Sequence, residues 1–294
     1  MLVTLRLYYN NSKTGGQMKS LKKHIVLMLI AFICNSAMAQ NVLDGVYIKE
    51  HTPERTVIPY TPLREADVAW NKRIWRTLDL REKINHPLYF PTTVIKNRRS
   101  LTQVIMDGIT IDGTITPYED DEFIKSLTKA EILASLTKID TLQVEDPDNP
   151  GVFTEKIVPR EFDPGSVVKY RLKEDWFFDK QRSVLDVRIV GICPVQDEKN
   201  DDGSVRGSKP MFWCYFPECR YVFVNAEVFN RDNDAERRTL QDIFWKRMFG
   251  SYIRKESNVY DRAIIEYKTG MDALLEAEVI KEKIFFLEHD LWEL

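Results

Sequence analysis

Val168-Lys169-Tyr170-Arg171-Leu172-Lys173-Glu174-Asp175-Trp176-Phe177-Phe178 is the stretch that decides the fold class. Val168, Tyr170, Leu172, Trp176 and Phe178 alternate with Lys169, Arg171, Lys173 and Asp175, a period of two that sorts side chains onto opposite sides of a strand. Glu174 alone interrupts the apolar side. Downstream, Leu185, Val187 and Ile189 alternate with Asp186 and Arg188, and residues 211–216 are apolar throughout, as in a strand covered on both faces. Residues 197–203 read as a polar loop between them. Closely spaced antiparallel strands are therefore expected beyond residue 165.

Working outward, the periods change. In residues 63–80, Leu63, Ala66, Trp70, Ile74 and Leu78 recur at spacings of three and four, which predicts an amphipathic helix. Residues 99–109 read as a second, shorter helix ended by Gly108, and Thr128-x-x-Glu131 is a capping box opening a third over residues 129–137. Residues 143–165 are acidic, carry Pro147, Pro150, Pro159 and Pro164, and have no period, so they read as a linker or loop. Two helices close the chain. The first follows the capping pair Asn233 and Glu236, with Leu240, Ile243, Phe244 and Met248 in one stripe. The second opens at Thr269-x-x-Asp272, with Met271, Leu274, Leu275, Val279, Phe285 and Phe286 on one side and Ile280, Ile284 and Leu287 on the other. The expected class is α+β: small mixed sheets packed with helices, a helical N-terminal part, and C-terminal antiparallel strands followed by two long helices. The expected division is residues 63–142 and 166–294 as two subdomains around the 143–165 linker.

The first forty residues read as an address rather than as fold. Met18-Lys19-Ser20-Leu21-Lys22-Lys23 is basic, residues 25–34 are apolar, and Ala37-Met38-Ala39 supplies small residues before Gln40. That order predicts a leader starting at Met18 and removed after Ala39, so residues 1–39 are set aside as a signal region. The apolar run is too short to span a bilayer, and Ile33 before Cys34 argues against lipid attachment there. Residues 40–62, with three prolines and many apolar side chains, read as an extended arm that lies along its own domain or docks on a neighbour.

The whole sequence holds 42 Lys and Arg against 45 Asp and Glu; losing the five basic residues of the leader, which has no acidic ones, leaves 37 against 45 and a net charge of −8. Such a chain is poorly suited to nucleic acid or an anionic lipid surface. Three cysteines remain, Cys193, Cys214 and Cys219. Cys214 and Cys219 are placed to pair across a turn, although a buried thiol is the preferred reading for Cys214 in its apolar run.

No cofactor or metal is expected. His51, His86 and His289 are far apart and there is no Cys-x-x-Cys. The loop from Glu198 to Gly203 carries Lys209 where a calcium loop needs a bidentate Glu. No nucleophile elbow and no phosphate-cradling glycine loop is present. The one catalytic reading is an exported glycan hydrolase using Glu174, Asp175 and Asp179 beside Trp176. It is weakened because neighbours on a strand point to opposite faces and no second acid stands at a defined separation.

Several long runs are more specific than any short motif. Residues 173–183 (Lys-Glu-Asp-Trp-Phe-Phe-Asp-Lys-Gln-Arg-Ser), 186–194, 215–220, 225–235, 242–249 and 255–262, with residues 70–89 nearer the start, resemble the GldN/PorN family of the Bacteroidetes type IX secretion and gliding machinery. The likeness spans about residues 63–294. It implies a periplasmic protein without known catalytic residues, associated with the inner face of the outer membrane. The implied partners are a GldK/PorK-like lipoprotein, with which it forms a ring of repeated subunits, and a nearby GldM/PorM-like motor protein. A helix with two apolar faces needs two things to pack against, and the second is another layer or another subunit. Trp245, Phe249, Ile280, Ile284 and Leu287 are the candidate contact residues; the competing expectation is that all five belong to the chain's own core.

Overall fold

The computed structural model describes residues 55–95, 98–136, 138–145, 153–160, 162–199, 205–233 and 235–293. The residues read as a leader and most of those read as an arm lie outside them. The backbone is built round β1 (Val68–Asp79), β5 (Val167–Asp179) and β6 (Val184–Lys199). They belong to a seven-stranded sheet completed by β2 (Pro117–Tyr118), β7 (Val205–Pro210), β8 (Trp213–Tyr215) and β11 (Tyr252–Glu256). The order is β11-β1-β5-β6-β8-β2, with β7 also on β6, and every pairing is antiparallel. Small hairpins are made by β3 (Lys138–Glu145) with β4 (Phe153–Arg160) and by β9 (Glu227–Val228) with β10 (Arg238–Thr239). The helices are α1 (His86–Tyr89), α2 (Leu101–Thr110), α3 (Lys129–Leu136), α4 (Phe216–Phe223), α5 (Leu240–Trp245) and α6 (Met271–Glu293). The class is α+β, as expected.

Residues 68–79 are a strand, not the helix their spacing predicts. Trp70, Ile74 and Leu78 are four apart, and four is a multiple of the strand period as well as close to the helical one, so they share a strand face equally well. The alternation was hidden because Lys72 and Arg76 stand on the same face. Lys72 is paired with Glu256 at 3.4 Å, and Arg76 donates to the hydroxyl and the carbonyl of Ser251 at 2.9 Å. Once their charges are satisfied, the register decides. Leu78 lies opposite Tyr170, Ile74 opposite Glu174, and Ile74 and Trp75 opposite Glu256 and Lys255 of β11.

Other expectations change in detail. The end of β3 and all of β4, which pair as antiparallel strands, fall within the stretch read as a linker, and β1 and β5, from either side of it, are neighbours in one sheet. Of the two closing helices only α6 is long. The six-residue α5 is capped by Thr239, whose hydroxyl accepts from the Asp242 amide while the Asp242 carboxylate accepts from the Thr239 amide. It stops where Arg247 takes a positive φ of 52°. Gly108 sits inside α2 rather than ending it. A Cβ there would lie 2.6 Å from Ile115 Cδ1, so glycine permits a close approach. The expected capping box Thr128-x-x-Glu131 is present, with the Thr128 amide donating to the Glu131 carboxylate at 2.7 Å.

The larger core lies between the sheet and α2, α4 and α5. Leu78, Leu101, Tyr170, Leu172, Ile192, Phe216, Phe223 and Leu240 are buried in it. The Phe223 and Phe244 rings stack at 5.7 Å with Phe216 edge-on to both, and the Tyr170 hydroxyl meets Thr102 at 2.6 Å, tying α2 to β5. Burial of that phenol raises its pKa above the usual range. A smaller core of Ile74, Ile253, Ile264, Ala277, Ile280 and Ile284 fixes α6 to the sheet.

Candidate interaction surface

The buried side of α6 is made of Ala277, Ile280 and Ile284, compact side chains that fit against Ile74 and Ile253. Its opposite side carries uncovered apolar residues on either side of the exposed Glu278 and Glu282: Leu275 is 58% exposed, Phe285 64% and Phe286 58%, with Met271, Leu274 and Val279 beside them. Single exposed hydrophobics are ordinary; a row of six on one helix is not. Of the five residues singled out from the sequence, Ile280, Ile284 and Phe249 are buried within this chain, Leu287 is half-buried, and Trp245 is 45% exposed. They do not form one patch. The residues the sequence had placed on the other side of α6 are the ones the fold leaves open.

Trp245 belongs to a second surface, formed where the described part of the arm docks on its own chain. Tyr60 stacks on Trp245 at 5.6 Å, and the Arg220 guanidinium lies over Tyr60 at 4.0 Å and Trp245 at 5.1 Å. Arg188 caps Tyr60 from another direction at 5.0 Å. Arg55 donates to Asp242 at 3.2 Å and to the Arg237 carbonyl, and its amide to Asn225. Burial raises the Tyr60 phenol above its usual range although both arginines pull it down. Sequence reading missed Arg188 and Arg220, because a cation sandwiched between rings far apart in sequence leaves no local pattern.

The carboxylates of the hydrolase reading are all engaged. Glu174 is fully buried and receives both a forked contact from Arg247 at 2.9 and 3.1 Å and the Trp176 indole N–H at 3.0 Å. Asp175 is held by Arg73 at 2.7 and 2.9 Å. Asp179 accepts from Arg182 and from the Gln181 amide, and the Arg182 bond above all holds its carboxyl below the usual range. Carboxylates neutralised in this way are poor general acids or bases.

On the other strand face, buried Lys173 is compensated by Asp121 at 3.2 Å and lies over the Trp75 and Phe123 rings at 5.8 and 5.5 Å. Burial alone would raise the Asp121 carboxyl; the Trp75 indole, bonded to it at 2.8 Å, and Lys173 outweigh that and hold it low. Gly191 lets Phe123 close over this pair, since a Cβ there would lie 2.6 Å from the ring.

Cys193, Cys214 and Cys219 are buried free thiols, so Cys214 and Cys219 do not bridge. Burial pushes Cys193 up to about 12. Among the described residues no cluster of His, Cys, Asp or Glu is placed to hold a metal ion, and no helix is long and apolar enough to cross a membrane.

A comparison with curated proteins found no match. Residues 63–293 match the family described as gliding motility associated protein GldN, and since this covers most of the chain, the protein belongs to the GldN family of gliding-motility and type IX secretion components.

Proposed function

We propose that the protein is a non-catalytic subunit of the secretion and motility complex, exported to the periplasm and held at the inner face of the outer membrane by a GldK/PorK-like lipoprotein. Copies of the chain and that lipoprotein assemble into a ring, with a GldM/PorM-like motor protein nearby. The observation that carries this reading is the uncovered apolar side of α6, where Leu275, Phe285 and Phe286 face outward on a helix whose other side is already packed. An obligate interface resembles a core cut in half, and this helix supplies one half. The engagement of Glu174, Asp175 and Asp179 in ion pairs favours a structural over a hydrolytic role.

The test is co-purification from envelope fractions of cells carrying Leu275→Ser with Phe286→Ser. The expected result is loss of the lipoprotein from the purified material while the variant's melting temperature is unchanged. Recovery of the lipoprotein at the unsubstituted level would sink the proposal.

A further inference from the structure

Arg171 on β5 and Arg254 on β11 stand on strands that flank β1. Thr77 of β1 is in register with Arg171 on one side and with Tyr252 on the other, and Arg254 is the residue that the bulge between the Lys255 and Ile253 pairings leaves without a partner on β1. Both guanidiniums line a groove of about 500 Å³. Among the described residues neither guanidinium has a hydrogen-bond or ion-pair partner, whereas Lys169 on the same rim is already held by Asp197 at 3.3 Å. Both are half-buried, and burial followed by the nearness of Arg254 lowers the proton affinity of Arg171. Two partly desolvated like charges repel, and no carboxylate among the described residues is paired with either of them. The facing wall is apolar: Ile264 and Ala273 at its base, and Ile265 and Leu274, 63% and 50% exposed, at its lip.

We propose that this groove binds an acidic, apolar peptide segment of a partner protein. A carboxylate of that segment bridges Arg171 and Arg254, and a neighbouring aliphatic side chain lies on Ile265 and Leu274. Guanidinium forks match carboxylate and phosphate alike, but the aliphatic wall gives free phosphate nothing to touch and suits a peptide side chain. Leu274 is shared with the outer side of α6, so a subunit seated there would compete for the lip of the groove, whereas Arg171 and Arg254 lie on β5 and β11, away from that helix.

The probe is a synthetic peptide Gly-Leu-Glu-Leu-Gly, acetylated at its N-terminus and amidated at its C-terminus so that the glutamate holds its one carboxylate, titrated onto the purified protein at low salt by calorimetry, beside its Gly-Leu-Gln-Leu-Gly counterpart blocked in the same way, inorganic phosphate and phosphatidylglycerol vesicles. The glutamate peptide is expected to bind saturably. The glutamine peptide and the Arg254→Gln variant are each expected to weaken binding by about tenfold or more. Without peptide, Arg254→Gln is expected to raise the melting temperature by about 2 °C, because it removes a repulsion. Absent binding, equal binding of the two peptides, unchanged affinity in Arg254→Gln, or a lowered melting temperature would each overturn the proposal. So would phosphate displacing the peptide at equal concentration, or vesicles binding where the peptide does not.

Discussion

Lys173, Glu174 and Asp175 each hold a partner of opposite charge, while Arg171, two residues earlier on the same strand, holds none among the described residues. The matched group lies under Trp75, Phe123 and Trp176, where an unpaired ion would be costly to bury. The unmatched one borders an open groove. α6 repeats the contrast in apolar terms, with Ile280 and Ile284 filled in and Phe285 and Phe286 left over. Complementation inside the chain marks what fixes the fold; its absence marks what is left for another molecule.

The comparison breaks first at Glu174. Glu174→Ala strands the Arg247 guanidinium and the Trp176 indole without their acceptor and is expected to cost about 3–5 kcal/mol in urea unfolding. A loss below about 1 kcal/mol would show that the matched end does not organise the sheet. Next comes Ile280→Ala, which opens a cavity between α6 and Ile74 and is expected to cost about 2–4 kcal/mol by the same measurement.

Asp121 sharpens the contrast through pH. Its folded carboxyl is held below the unfolded value, so its contribution is present above the ordinary carboxylate range and is lost as pH falls through the folded value. Asp121→Asn is expected to cost about 1 kcal/mol at neutral pH and to flatten the acid limb of a melting-temperature profile. An unaltered limb would assign the acid sensitivity to other groups. The smallest effect on stability is expected for Phe285→Ser with Phe286→Ser, within about 0.5 kcal/mol. A larger loss would place these rings in the chain's own core.

What could be read from the sequence was whatever repeats locally. β5 and β6 were legible because Tyr170, Leu172, Leu185 and Ile189 fall on a strict period of two, and α3 because Thr128 and Glu131 cap it at a fixed spacing. β1 was misread since its apolar residues satisfy both periods and its partners on β5 and β11 are remote. On α6 the periodicity gave two apolar sides but not which one turns inward. That choice is made by Ile74, Ile253 and Ile264, which accept the slimmer side and leave the phenylalanines outside. Arg171 and Arg254 look like any surface cations in sequence, and only the register across β1 sets them together.

The position of β1 also orders events in time. It lies between β5 and β11, and Ile74 meets its second partner only at Glu256, near the far end of the chain. A polypeptide delivered N-terminus first must keep one edge of that strand open until nearly all of it has emerged. Pairing on both edges of β1 is complete only when β11 has been made, so the last strand serves as the latch of the sheet.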